Sequence, residues 1–289
     1  MKFHALIALC LLLAFAGCTT GTAGKEPTPT TIAVQVTLSE TLQGASYNGR
    51  LLLMFSNNTE AEPRFQINDG LKSQLIFGKN VSNLQPGQTV TFTEADFGYP
   101  LESLLQVPAG EYQAQALLHV YETFNLETGH TVQLPMDNGE GQQWNRSPGN
   151  LYNVPVTVTI DANGISGGAI VMDQTIPPIP EPEDTQWIKH IKMRSEKLSK
   201  FYGRDMYLGA HVLLPKGFEE HPEANYPLMV FHGHFPSDFG NWRTTPPDPT
   251  EEPEYSERFK VEAYNKIEQQ EAYDFYQRWN DPDFPRFLI

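Results

Sequence analysis

At 289 residues the chain has room for two ordinary domains, and 39% hydrophobic and 11% aromatic residues are enough to build buried cores. Its net charge of −15 excludes a nucleic-acid partner, since neutralising phosphates takes a cationic face; the acidic surplus reads as a solvated surface. The two cysteines, Cys10 and Cys18, both fall near the N-terminus, so the body has no thiol for a disulfide, a metal or nucleophilic catalysis.

Lys2 and His4 precede an apolar run over residues 5–16, too short to hold a bilayer as a stable anchor. The run leads into Phe15-Ala16-Gly17-Cys18, which resembles a bacterial lipobox, with Phe15 where leucine is usual. That resemblance implies a signal peptide over 1–17, a lipid on Cys18, and a protein tied to the outer side of a bacterial membrane. Thr19 then points to the outer membrane where a cell has two. An ordinary signal peptide cut near Ala16 is the alternative. Residues 18–30, rich in Thr, Gly and Pro, read as a flexible tether. Glycosylation sequons at Asn57, Asn80 and Asn145 carry no meaning in that setting.

Residues 31–173 predict an all-β domain. The stretch 32–38 alternates with period two and 50–55 is a more buried run. Further strands are expected at 74–77, 89–92, 112–121, 154–160 and 169–171. Turn clusters at 85–88, 107–110 and 161–164 separate them, and short strands so punctuated favour an Ig-like sandwich over a parallel sheet. The long loop 134–151 holds Trp144 among Gln142, Gln143, Asn145 and Arg146. An aromatic face beside amides suits stacking on a glycan or peptide, and folding of the indole onto its own domain is the competing outcome. Residues 174–186, with four prolines, read as a stiff extended linker.

Past the linker, strands are expected at 187–194 and 206–214, and again at 228–231, an apolar run that stops at His232-Gly233-His234. A buried strand breaking into a glycine-containing loop before a helix presents backbone N–H groups where ligands of open α/β sheets bind. The segment 243–256 is too acidic and proline-rich for an element. Residues 258–279 predict a helix, with Val261, Tyr264, Ala272, Phe275 and Trp279 on one face and Ile267 at its edge. Residues 286–289 begin another strand.

The phrase Tyr226-Pro227, then 228–231, His232-Gly233-His234, Asp238 and Trp242 resembles the third strand and oxyanion loop of α/β-hydrolases of the esterase D, S-formylglutathione hydrolase and enterochelin esterase branch. Upstream, Ser195-Glu196-Lys197-Leu198, Gly203-Arg204-Asp205 and His211-Val212-Leu213-Leu214-Pro215 resemble that family's first two strands. The similarity covers 187–289 and implies the first strands and first helix of an α/β-hydrolase sheet, here expected to be parallel. It further implies acyl-ester hydrolysis by a serine mechanism, with an ester or acyl small molecule or a glycan ester as substrate. The backbone N–H of His234 would hold the oxyanion, with Gly233 letting the chain turn.

The literal Gly164-Ile165-Ser166-Gly167-Gly168 is not the nucleophile elbow, because no helix follows and it precedes the oxyanion strand. Ser195, Ser199, Ser237 and Ser256 lack a His–Asp pair at elbow spacing. The catalytic triad is therefore expected outside this chain, which by itself should be inactive. No cofactor is expected. His232 and His234 would need a third zinc ligand, and His211 and His221 stand at no diagnostic spacing. The alternative reading is a non-catalytic surface lipoprotein whose sandwich binds a glycan or a protein.

Overall fold

The structure is a computed structural model and describes residues 31–232, 239 and 242–289. It is mostly β-sheet, with two α-helices among the described residues. Alternation in the first predicted strand yields β1 (Ala33–Leu38), whose Val34, Val36 and Leu38 point inward while Ala33 and Gln35 stay exposed. The continuous run after it yields β2 (Tyr47–Ser56), buried on both faces from Leu51 onward. Next come β3 (Leu75–Leu84), β4 (Thr89–Thr93), β5 (Gly98–Tyr99) and the sixteen-residue β6 (Gly110–Asn125). The series continues with β7 (Thr131–Leu134), β8 (Leu151–Tyr152), β9 (Val156–Asp161), β10 (Gly164–Gly167), β11 (Ile170–Met172) and β12 (Gln174–Thr175).

These strands form two sheets. The smaller runs β11-β1-β4, with β1 parallel to β11 and antiparallel to β4. The larger runs β10-β9-β6-β2-β3-β5, with β7 and β8 on β6 and β12 on β8. Between them lies one apolar core drawn from both: Val34, Val36, Phe92 and Met172 from the first, Leu51, Leu53, Phe55, Phe77 and Leu118 from the second. Full burial of each such side chain contributes about 1.5–3 kcal/mol, so this layer dominates the stability of the region. The β2–β6 pair at its centre approaches closely enough that a Cβ on Gly49 would sit 2.1 Å from the His119 carbonyl oxygen. The outer face of the larger sheet carries a second, smaller cluster of Leu52, Met54, Leu117 and Ile176.

Two expectations shift here. Gln174–Thr175 is a strand rather than linker, and Ile176 is buried against Asn150, so the extended proline-rich stretch begins at Pro177. The Gly-rich 164–167 is itself strand β10, paired to β9 in a hairpin with Ser166 opposite Thr159.

The C-terminal section opens with β13 (Ile188–Arg194), then α1 (Glu196–Tyr202), then β14 (Tyr207–Leu213) antiparallel to β13. Leu213 and Ile289 exchange backbone hydrogen bonds at 2.9 and 3.3 Å, and Leu228 bridges Leu288 in parallel. The lateral order is therefore β13, β14, the 286–289 segment and the 228 segment. This corrects the expectation of a parallel sheet: the arrangement is mixed, and only the last two segments run parallel.

Between those two segments the chain passes through α2 (Tyr264–Trp279). The helix starts six residues later than predicted. Ser256 pairs with Val261, and Ala263, left-handed at φ 53°, reverses the chain, so Val261 lies outside the helix. Glu254, Asn265 and Gln269 tie the helix start to the acidic segment before it in place of a side-chain cap. Ala272 is buried, and Phe275 and Trp279 pack inward as predicted, in a cluster with Ile188, Leu213, Phe287 and Ile289, while Ile267 is exposed.

Candidate functional site

The register of the C-terminal sheet fixes where its strands end. Residues 286–289 run antiparallel to β14, and Met229 N–H donates to the Leu288 carbonyl at 2.8 Å while Leu288 N–H donates to that of Pro227 at 2.8 Å. Both parallel segments thus have their carboxyl ends on the side where β14 begins and α1 sits. Backbone groups past such ends face the crevice in which ligands of α/β sheets bind. His232, exposed, is the last described residue of that run. His234, the expected oxyanion donor, and Gly233, expected to let the chain turn, lie outside the described residues, as do Ser237, Asp238 and Cys18.

On the far side of that loop the chain is firmly held. Trp242 meets Trp187, Phe275, Tyr276 and Trp279 at ring-centroid distances of 5.3–6.5 Å. Phe239 joins the same cluster. Two ends are thereby anchored, one by the sheet and one by an aromatic stack.

The described serines considered as nucleophiles are engaged elsewhere. Ser195 caps α1, accepting from Leu198 N–H at 3.3 Å. Ser199 is 5% exposed, and its Oγ accepts from Met206 N–H at 2.9 Å. Ser256 Oγ accepts from Phe259 N–H within the turn before α2. Ser166 stands in the β9–β10 hairpin.

The described histidines lie apart from one another, save one pair. His211 faces His190 across the β13–β14 pair, rings edge-to-face at 4.7 Å, while His221 is exposed beside Glu223. Among the described residues no group of three or more His, Cys, Asp or Glu is placed to hold a metal ion. What sequence reasoning missed is the partner of His190. Asp184, at the end of the proline-rich stretch, folds back so that one carboxylate oxygen accepts from His190 N–H at 2.8 Å and meets Nδ1 at 3.1 Å. Those contacts, led by the backbone N–H, hold the Asp184 carboxyl below its usual range. They orient the ring, whose Nε2 is buried with no hydrogen-bond partner among the described residues. The signal was available only as an Asp six residues before a strand histidine, which is no motif.

Trp144 packs partly buried on the outer-face cluster of the larger sheet. Its neighbours are spent on the same surface: Asn145 Nδ2 donates to the Arg64 carbonyl at 3.1 Å, and Arg146 lies over Phe65. The Arg64 guanidinium stacks 4.2 Å from the Tyr152 ring centroid and pairs with Glu62 at 2.9 Å. Beside this patch His119, half-buried and edge-on to Tyr121, is pushed below its ordinary value by burial, against an opposing pull from Glu140. No described helix is long and apolar enough to cross a membrane. Searches of family models, curated proteins and solved structures gave no match to the chain.

Proposed function

We propose that the chain is the oxyanion-side part of an extracytoplasmic serine-type ester hydrolase, tied to a bacterial membrane by lipid on Cys18. On this reading an Ig-like sandwich precedes an α/β-hydrolase sheet, and the amide of His234, with Gly233 letting the chain turn, stabilises the negative oxygen of a tetrahedral intermediate. A donor of that kind lowers the barrier by about 3 kcal/mol. The observation that carries the reading is the parallel contact of Leu228 with Leu288 across helix α2. Two extended segments bridged in parallel on either side of a helix have the connectivity of the βαβ unit on which such sites are built, and Gly233 follows the first of them in the chain.

Chemistry follows from the order of events. An acyl ester placed over that loop directs its carbonyl oxygen at the His234 amide, and attack by a serine hydroxyl, its proton taken by a histidine, develops charge there. Ser195, Ser199 and Ser256 hold their hydroxyls in local hydrogen bonds, and Ser166 stands in the β9–β10 hairpin with no helix after it. The glycan- or protein-binding alternative has less support, because Trp144 and Asn145 face their own sheet.

The test reads the gene past codon 289 and assays a p-nitrophenyl ester with residues 18–289 alone. A Gly-x-Ser-x-Gly phrase followed by an acid and a histidine, with a blank assay, is expected. Serine-dependent turnover by 18–289, or a stop followed by unrelated sequence, contradicts the proposal.

A further inference from the structure

The end of β6 and β7 form a hairpin that leaves the two-sheet core and reaches α1, about eighty residues later in the chain. Glu127 N–H donates to the Phe201 carbonyl at 2.8 Å, satisfying one of the orphan acceptors at the C-terminal end of the helix. Lys200 Nζ stands 2.5 Å from Glu127 Oε1, and Arg204 pairs with Glu122. The Arg204 guanidinium also lies 5.2 Å from the Phe124 ring centroid, and Tyr202 meets the same ring edge-to-face at 5.6 Å. Between these contacts Gly203, left-handed at φ 66°, approaches so closely that a Cβ there would sit 2.4 Å from the Asn125 carbonyl oxygen. At seven residues α1 is too short to persist by its own propensity, so tertiary contacts must hold it.

We propose that the β6–β7 hairpin is a docking arm whose acidic, aromatic tip (Glu122, Phe124 and Glu127) recognises the basic, aromatic end of α1 (Lys200, Tyr202 and Arg204). It seats the C-terminal sheet on the N-terminal pair. The proline-rich stretch is then a second strap rather than a hinge: Glu181 pairs with Lys192 at 3.5 Å and Asp184 binds His190. The arm stands at the end of the C-terminal sheet toward which the 228 and 286–289 segments run.

Residue-resolved amide hydrogen exchange on the whole chain tests this at Glu127, whose N–H lies in a turn and is protected only by docking on Phe201. Slow exchange is expected, speeding severalfold in about 1 M salt, where the screening length falls to about 3 Å. Gly203→Val should accelerate Glu127 by at least roughly tenfold. Gly217→Val imposes comparable left-handed strain at φ 78° with no atom nearer than 3.7 Å, and should leave Glu127 unchanged. Glu122→Lys should also accelerate it, and adding Arg204→Glu should restore protection by swapping the pair. Fast exchange in the unmodified chain, equal effects of the two glycine variants, or a swap that fails to restore protection would overturn the proposal.

Discussion

The indole N–H of Trp279 donates to the carbonyl of Leu214 at 2.8 Å, binding the last turn of α2 to the residue just past β14. Trp279 is 1% exposed and touches Trp242, Phe275, Phe284 and Phe287. One side chain thus joins the helix, the sheet and the anchor of the glycine loop. Trp279→Ala should cost about 3–5 kcal/mol through the cavity it leaves. Trp279→Phe keeps most of the packing but strands the Leu214 carbonyl, and should cost about 1–3 kcal/mol. Urea unfolding midpoints with unchanged slope measure both.

Gln115, fully buried, organises the outer face of the larger sheet. Its side chain accepts from Arg64 N–H at 3.0 Å and donates to Glu62 at 2.7 Å and to the Asn153 carbonyl at 3.0 Å. Gln115→Leu fits the volume but leaves those groups unpaired. The expected loss is about 1–3 kcal/mol, seen as a lower unfolding midpoint. A neutral result would mean that water replaces the amide.

His119 sets an acid limit. Burial lowers its folded-state pKa below the ordinary value of about 6.5, so the unfolded chain binds the proton more readily. Its contribution is whole above the unfolded value and falls away as pH drops toward the folded one, with Glu140 softening the loss. His119→Gln should flatten the stability profile in that window. Thermal unfolding between about pH 5 and 7.5 checks this, and parallel profiles would refute it.

How much of this was legible in the sequence depended on length and period. Residues 32–38 alternate cleanly and 50–55 are apolar throughout, so β1 and β2 could be read directly. Strands β5, β8 and β12 are two residues each and carry no period; tertiary pairing makes them. The helix face of Ala272, Phe275 and Trp279 was readable, but its start was not, because Ala263 adopts a left-handed turn with no glycine to announce it. At the candidate site Gly233 and His234 lie outside the described residues, and the return of Asp184 to His190 depends on the path of the chain after the prolines.

The 228 segment, expected as a buried strand, is instead an exposed edge held by the single bridge at Leu228, because among the described residues nothing covers its outer side. Val230 and Phe231 are 77% and 80% exposed, and Leu228, Met193 and Leu208 add to the uncovered apolar surface. Such an edge invites pairing with another chain. Substituting Val230→Lys with Phe231→Glu should reduce concentration-dependent association in sedimentation velocity without lowering the unfolding midpoint. Equal association would show that this edge is not the adhesive one.

Fluorophosphonate labelling of the gene's complete translation product, followed by peptide mass spectrometry, tests the esterase proposal most directly. The proposal predicts one labelled serine, flanked by glycines at two residues on either side and lying outside residues 31–289, with labelling abolished by Gly233→Pro. Absence of label, or label on Ser166 or on any other serine of residues 31–289, would contradict it.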